Sequence, residues 1–190
     1  MNCAPWEARL ISQAHDLGVS DARLIPVAAV VIDNKFAGFC KEPGCPGYGR
    51  SKSCPPHVMG PDRFRHYIQK FNTLLVFKFD IPWSVLLSED RIGVNRIVHE
   101  TAAKLEMAAL DMGYENAQGF AGGCCKELFC QDHLKCRKLF EDGICRHPDQ
   151  SRESMSGMGV DFKALAREAD WEYNNNSDIG LMAGSVLLKG

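Results

Sequence analysis

The stretch "NTLLVFKFDI", residues 72–81, decides how the chain folds. Its run of Leu, Val, Phe and Ile predicts a mostly buried strand. Pro82 ends that strand, because proline has no backbone N–H to offer a sheet ladder. Upstream, "DRFRHYIQKF" is compatible with a short helix, and "IPVAAVVID" predicts another buried strand over about residues 25–33 that leads directly into a cysteine-rich loop. Further back, residues 5–17 predict a helix. Trp6, Leu10, Ile11, Ala14 and Leu17 share one face, Pro5 suits the first helical position, and Gly18 is placed to terminate the helix.

Downstream, a helix is expected from Ser88, a suitable N-cap followed by Glu89 and Asp90, to Met112, with Gly113 as its stop. Ile92, Val98, Leu105 and Ala109 mark its core side. "YENAQGFAGG" (114–123) reads as a third strand that delivers a second cysteine cluster. "DFKALAREADW" reads as a helix, "NNNSD" as a turn and "IGLMAGSVLLKG" as a closing strand. The order helix, strand, cysteine loop, strand, helix, strand, cysteine loop, helix, strand predicts an α/β or α+β fold. Its expected form is a single sheet of about four strands with packed helices and two cysteine-rich metal-binding loops, all one domain over residues 1–190.

The apolar fraction of 45% suits a globular core, and a net charge of −2 gives no electrostatic reason to expect nucleic acid or an anionic membrane as partner. The N-terminus lacks a basic region followed by an apolar stretch, and no segment approaches a membrane span, so the expected compartment is the cytosol. A reducing cytosol keeps thiols free for metal or redox work, and nine cysteines, an odd number, cannot all pair internally.

Those cysteines fall into two groups. Cys40, Cys45 and Cys54 form a C-x4-C-x8-C-P-P pattern, and Cys124, Cys125, Cys130, Cys136 and Cys145 form the second. Setting Cys3 aside leaves eight, the number that two 4Fe-4S clusters require. Zinc is the alternative, since four thiolates also make a closed tetrahedral site. Zinc sites usually supply a tight C-x2-C knuckle, however, and none is present. The wide gaps suit a chain wrapped around a bulky cluster. Cys54-Pro55 echoes the Cys-Pro of bacterial ferredoxins, and Gly44, Gly47 and Gly49 allow backbone amides to approach cluster sulfides.

Three thiols in the first loop are one short of four, and five in the second are one too many. Neighbouring side chains on extended backbone point to opposite sides, so adjacent cysteines serve two sites better than one. The expectation is that Cys124 completes the set of Cys40, Cys45 and Cys54, while Cys125, Cys130, Cys136 and Cys145 form the other. Cys3 and His57 are rival fourth ligands, and the order within the Cys124–Cys125 pair is left open.

His57, His133 and His147 lie near cysteines and can be ligands or bystanders, whereas His99 sits in the long helix and reads as structural. Arg137, Arg146 and Arg152 can bind an anion or partner carboxylates. No phosphate-loop, dinucleotide or nucleophile-elbow motif is present, so electron transfer to a redox partner protein is favoured over autonomous catalysis. The other readings are an enzyme with an open cluster iron that binds a small substrate, and a zinc-stabilised interaction module.

The first loop, with Tyr48-Gly49 and Cys54-Pro55-Pro56, and the stretch "CRHPDQSRESMSGMGVD" (145–161) resemble a prokaryotic family common in anaerobes. That family is a cysteine-rich "predicted metal-binding protein" domain of unknown function. Cys145, Arg146, Pro148, Arg152, Ser154, Met155, Gly159, Val160 and Asp161 match its closing pattern, whereas the gaps between Cys125, Cys130 and Cys136 are wider than the family's. The resemblance implies a metal site and names no reaction.

Overall fold

In the computed structural model, residues 5–41, 44–141, 143–171 and 178–190 are described. Cys3 and most of the "NNNSD" turn lie outside them. In chain order the elements are α1 (Pro5–Asp16), β1 (Asp21–Pro26), α2 (Asn34–Gly38), α3 (Gly60–Tyr67), β2 (Thr73–Pro82), α4 (Trp83–Leu86) and α5 (Arg91–Asp111). They continue with β3 (Asn116–Ala121), α6 (Cys125–Phe129), α7 (Arg137–Phe140), β4 (Glu153–Ser154), α8 (Phe162–Glu168) and β5 (Ile179–Lys189).

The fold class is α/β, with one mixed sheet of five strands in the order β1-β2-β5-β3-β4. All pairings are antiparallel except β3 with β4. β2 lies between β1 and the central strand β5, with Thr73–Pro82 facing Leu188–Ile179 of β5 on one side and Asp21–Lys78 through Pro26–Thr73 defining its register with β1 on the other.

Both faces of the sheet are covered, which is why 72–81 shows so little polar alternation. Leu75 and Phe77 pack with Leu10 and Ala14 of α1 and with Val98, Ala102 and Leu105 of α5. From the opposite face Leu74 and Val76 meet Phe64 of α3, Leu165 of α8 and the Met155–Met158 segment. Gly184 belongs to this packing: a Cβ there would stand 2.4 Å from Cζ of Phe77, so β5 accepts the Phe77 ring only without a side chain. No helix among the described residues is long and apolar enough to cross a membrane.

Three expectations need correction. The first strand is Asp21–Pro26 and not 25–33: after Pro26 the chain closes a 3-10 turn, with Val30 N–H donating to Val27 O. Residues 31–33 instead bind the 159–161 segment, through the Ile32–Val160 bridge and bonds from Asp33 N to Gly159 O and Asp161 N to Val31 O. The long helix starts at Arg91, because Ser88 spends its hydroxyl on a local turn, accepting from Asp90 N–H at 3.1 Å and donating to Val85 O at 3.0 Å. The fifth strand is β4, two residues paired only through Phe120–Glu153 and Ala121–Ser154. A strand that short carries no readable period.

Candidate metal centre

Helix α2 leads into the first thiol loop and strand β3 into the second. β3 ends at Ala121, and Gly122-Gly123 carry the chain to Cys124, whose backbone is extended (φ −96°, ψ 111°) before α6 begins at Cys125. The first loop is a succession of tight turns: Tyr48 N–H to Cys45 O, Cys54 N–H to Ser51 O, and Gly49 N–H to Pro55 O at 2.8 Å. Ser53 joins the two loops. Its carbonyl accepts from Ser154 N–H of β4 at 3.0 Å, and its hydroxyl accepts from Cys125 N–H at 3.4 Å.

Cys54 and Cys124 are both buried and share a hydrogen bond. That bond lowers the pKa of Cys124 to about 6 against the opposing effect of burial, with help from Ser51 and the amides of Lys126 and Glu127. The same bond, followed by burial, raises that of Cys54. The shift favours the thiolate at Cys124, the form that binds metal. Ser51 Oγ lies 3.5 Å from Cys124 Sγ and 3.0 Å from Ser53 Oγ.

Gly47 sits between Cys124 and Cys45. A Cβ on it would be 2.8 Å from Cys124 Cβ, 3.4 Å from Cys124 Sγ and 3.6 Å from Cys45 Sγ, so only glycine leaves that gap open. Cys40 is raised in pKa by burial and then by the charge of Cys45. Cys40, Cys45, Cys54 and Cys124 thus form a chain of neighbours.

Cys125, Cys136 and Cys145 line a cavity of about 260 Å³ with Lys52, Lys138 and Glu153 at its edge. Cys130 is raised in pKa by burial, then by the charges of Cys125 and Cys145 and, more weakly, of Cys136, with Arg146 opposing. Lys126, buried although charged, donates to Cys130 O at 2.7 Å and fixes the end of α6. His147 N–H points at Cys145 Sγ at 3.4 Å, the kind of amide–sulfur contact that tunes a metal-bound thiolate.

All eight of these cysteines are free thiols. Among the described residues no group of three or more His, Cys, Asp or Glu is arranged to hold a single metal ion. Eight soft thiols in two loops, with only glycine in the gap at Gly47, are a donor set that fits zinc or an iron–sulfur cluster.

The other singled-out residues make the following contacts. His57 joins its loop through its backbone, donating to Cys54 O and accepting from Lys52 Nζ at 2.9 Å. His133 is exposed, and the His147 ring stacks on Phe129 with centroids 5.5 Å apart. Arg137 and Arg146 approach Glu141 at 3.8 and 3.9 Å. Arg152 is buried, forks onto both carboxylate oxygens of Glu106 at 2.9 and 3.0 Å, and donates to Pro148 O and Ser151 O. Ser51, Ser53 and the Glu106 partner were not foreseen from sequence. A serine two residues from a cysteine carries no distinctive signal until the fold brings it to a sulfur.

His99 is fully buried in α5 and accepts from Arg152 N–H at Nδ1 (3.0 Å), so Nε2 carries its proton. Burial lowers its pKa to about 4; the backbone of Gly122 and Gly123 opposes this and the charge of Arg152 adds to it. The folded state therefore binds a proton less readily than the unfolded chain, whose histidine titrates near 6.5. Stability from this group is complete above about pH 6.5 and is lost as pH falls toward 4, by roughly 3 kcal/mol in total. Urea titrations of His99→Gln should lack this part of the acid slope that the parent shows. An unchanged slope would assign it to other groups.

A family model described as "Predicted metal-binding protein (DUF2284)" matches residues 23–188. Among curated proteins and solved structures, none matches the chain. The match takes in both cysteine loops and every strand but the start of β1 and the end of β5, and on that extent the chain belongs to the DUF2284 family of predicted metal-binding proteins.

Proposed function

We propose that the protein holds two 4Fe-4S clusters and relays electrons to a partner protein. Cys40, Cys45, Cys54 and Cys124 would hold one cluster, and Cys125, Cys130, Cys136 and Cys145 the other. The observation that carries this reading is the division of eight free thiols between Cys124 and Cys125: the first is buried against Cys54, the second opens into a cavity with Cys136 and Cys145. Such clusters supply one-electron transfer at potentials set by hydrogen bonds to sulfur and by burial. This chain contributes both, through Ser51 at Cys124 and the His147 amide at Cys145.

The adjacency of the two sets favours a relay, since two centres joined by one peptide bond's length of backbone give an electron a short route. The test is metal and acid-labile sulfide analysis of protein purified without oxygen. About eight iron and eight sulfide per chain are expected. Stoichiometric zinc without sulfide would replace this reading with that of a zinc-stabilised module.

A further inference from the structure

A second cavity borders the first cysteine loop. It has a volume of about 560 Å³ and runs between α2 and α8, with Cys40 and Cys45 in one wall. Phe36, Phe39, Val160, Phe162 and Ala166 make most of its lining. The size is within the range of small-molecule sites, and an apolar cavity of about 150 Å³ already takes benzene. Its walls are fastened to each other by the Ile32–Val160 bridge and the two backbone bonds beside it, so the space does not depend on one side chain.

The polar groups are few. Ser156 and Lys163 stand in the lining, both exposed to the opening. The neighbouring cation, Lys35, is neutralised by Asp33 at 2.9 Å. Asp161, which precedes α8, directs its carboxylate to Ala164 N–H at 3.0 Å. Among the described residues Lys163 makes no ion pair, which leaves its ammonium group available to an anion in an aromatic cavity.

We infer that this cavity is a binding site for a small aromatic carboxylate, its ring among Phe36, Phe39 and Phe162 and its carboxylate on Lys163 and Ser156. Three aromatic rings offer the edge and face contacts that a flat ring prefers, and a cation with a hydroxyl is the minimal anchor for a carboxylate. Because Cys40 and Cys45 form a wall, the ligand would lie against the first metal centre. That consequence rests on the iron–sulfur reading, whereas binding itself does not.

The test is calorimetric titration of metal-loaded protein with 2-naphthoate and with its neutral isostere 2-naphthamide, with iron and sulfide measured on the same samples. One saturable naphthoate site is expected, weakened about tenfold in Lys163→Gln and lost in Phe39→Ala, with naphthamide binding the parent about as weakly as naphthoate binds Lys163→Gln. Both variants change exposed side chains, so folding is not at stake. Absence of saturable naphthoate binding, equal affinity for the amide, or indifference to both substitutions would overturn the site. So would binding that occurs only after the metal is removed, since the space would then belong to the metal centre. Zinc-only protein that binds naphthoate as described would leave the site standing while the cluster reading falls.

Discussion

Replacing Cys124 with Ser is expected to remove about half of the iron and sulfide, roughly four of eight of each, and to leave the remaining centre spectroscopically intact. The physical basis is the position of its sulfur: buried, hydrogen-bonded to Cys54, 3.5 Å from Ser51 Oγ and close to the Gly47–Cys45 turn. Cys125→Ser should give the mirror result, losing the centre of Cys130, Cys136 and Cys145 and keeping the first. Cys3→Ser should leave the iron content unchanged. Iron analysis with low-temperature electron paramagnetic resonance of the reduced proteins distinguishes these outcomes. If the Cys124 variant keeps all its iron and the Cys3 variant loses about half, the N-terminus supplies the fourth ligand and the division proposed above is wrong.

Arg152→Met is expected to destabilise the protein by about 3–5 kcal/mol, because it leaves the Glu106 carboxylate without its partner in a nearly closed site. The side chains are 8% and 17% exposed, so solvent screens this pair far less than it does Arg50–Glu127, whose members are 48% and 38% exposed. Glu106 also accepts from Gly119 N–H in β3, so the pair ties α5, β3 and the second cysteine loop at one point. Urea denaturation measures the loss. The double variant Arg152→Met with Glu106→Leu should recover much of it, since an apolar pair leaves no buried charge unpaired. A cost below about 1 kcal/mol for the single variant would show that water reaches the pair. The Arg152 guanidinium also holds Pro148 O and Ser151 O, so the single variant should lose iron from the Cys125 set before the Cys124 set.

The parts of the fold legible in the sequence are those whose signal is local and repeated. β2 and β5 are long apolar runs, α5 is a long helix with buried residues at Val98, Ala102, Leu105 and Ala109, and α8 has Asp161 as a hydrogen-bonded cap. β1 was misplaced for a reason of the same kind. Residues 27–33 are rich in β-branched residues, but Pro26 has no N–H, Val27–Val30 close a 3-10 turn, and residues 31–33 find their backbone partners at Gly159–Asp161 and not in the sheet. Propensity recorded that these residues favour extended backbone and had no means of saying what they would pair with.

By itself, the sequence determined the family, the α/β class and the inventory of eight thiols in two loops, since each depends on residue identity, spacing or local period. Tertiary structure alone decided which thiols are neighbours. Cys124 meets Cys54 and Ser51 across 70 residues or more, and Ser53 reaches both Ser154 and Cys125, through contacts set by where β3 and β4 place their ends. Pairing β3 with β4 closes the second loop, and the Ser154 N–H to Ser53 O bond fastens the first loop to it. No spacing rule contains that, because it depends on loop closure and on packing both faces of one sheet.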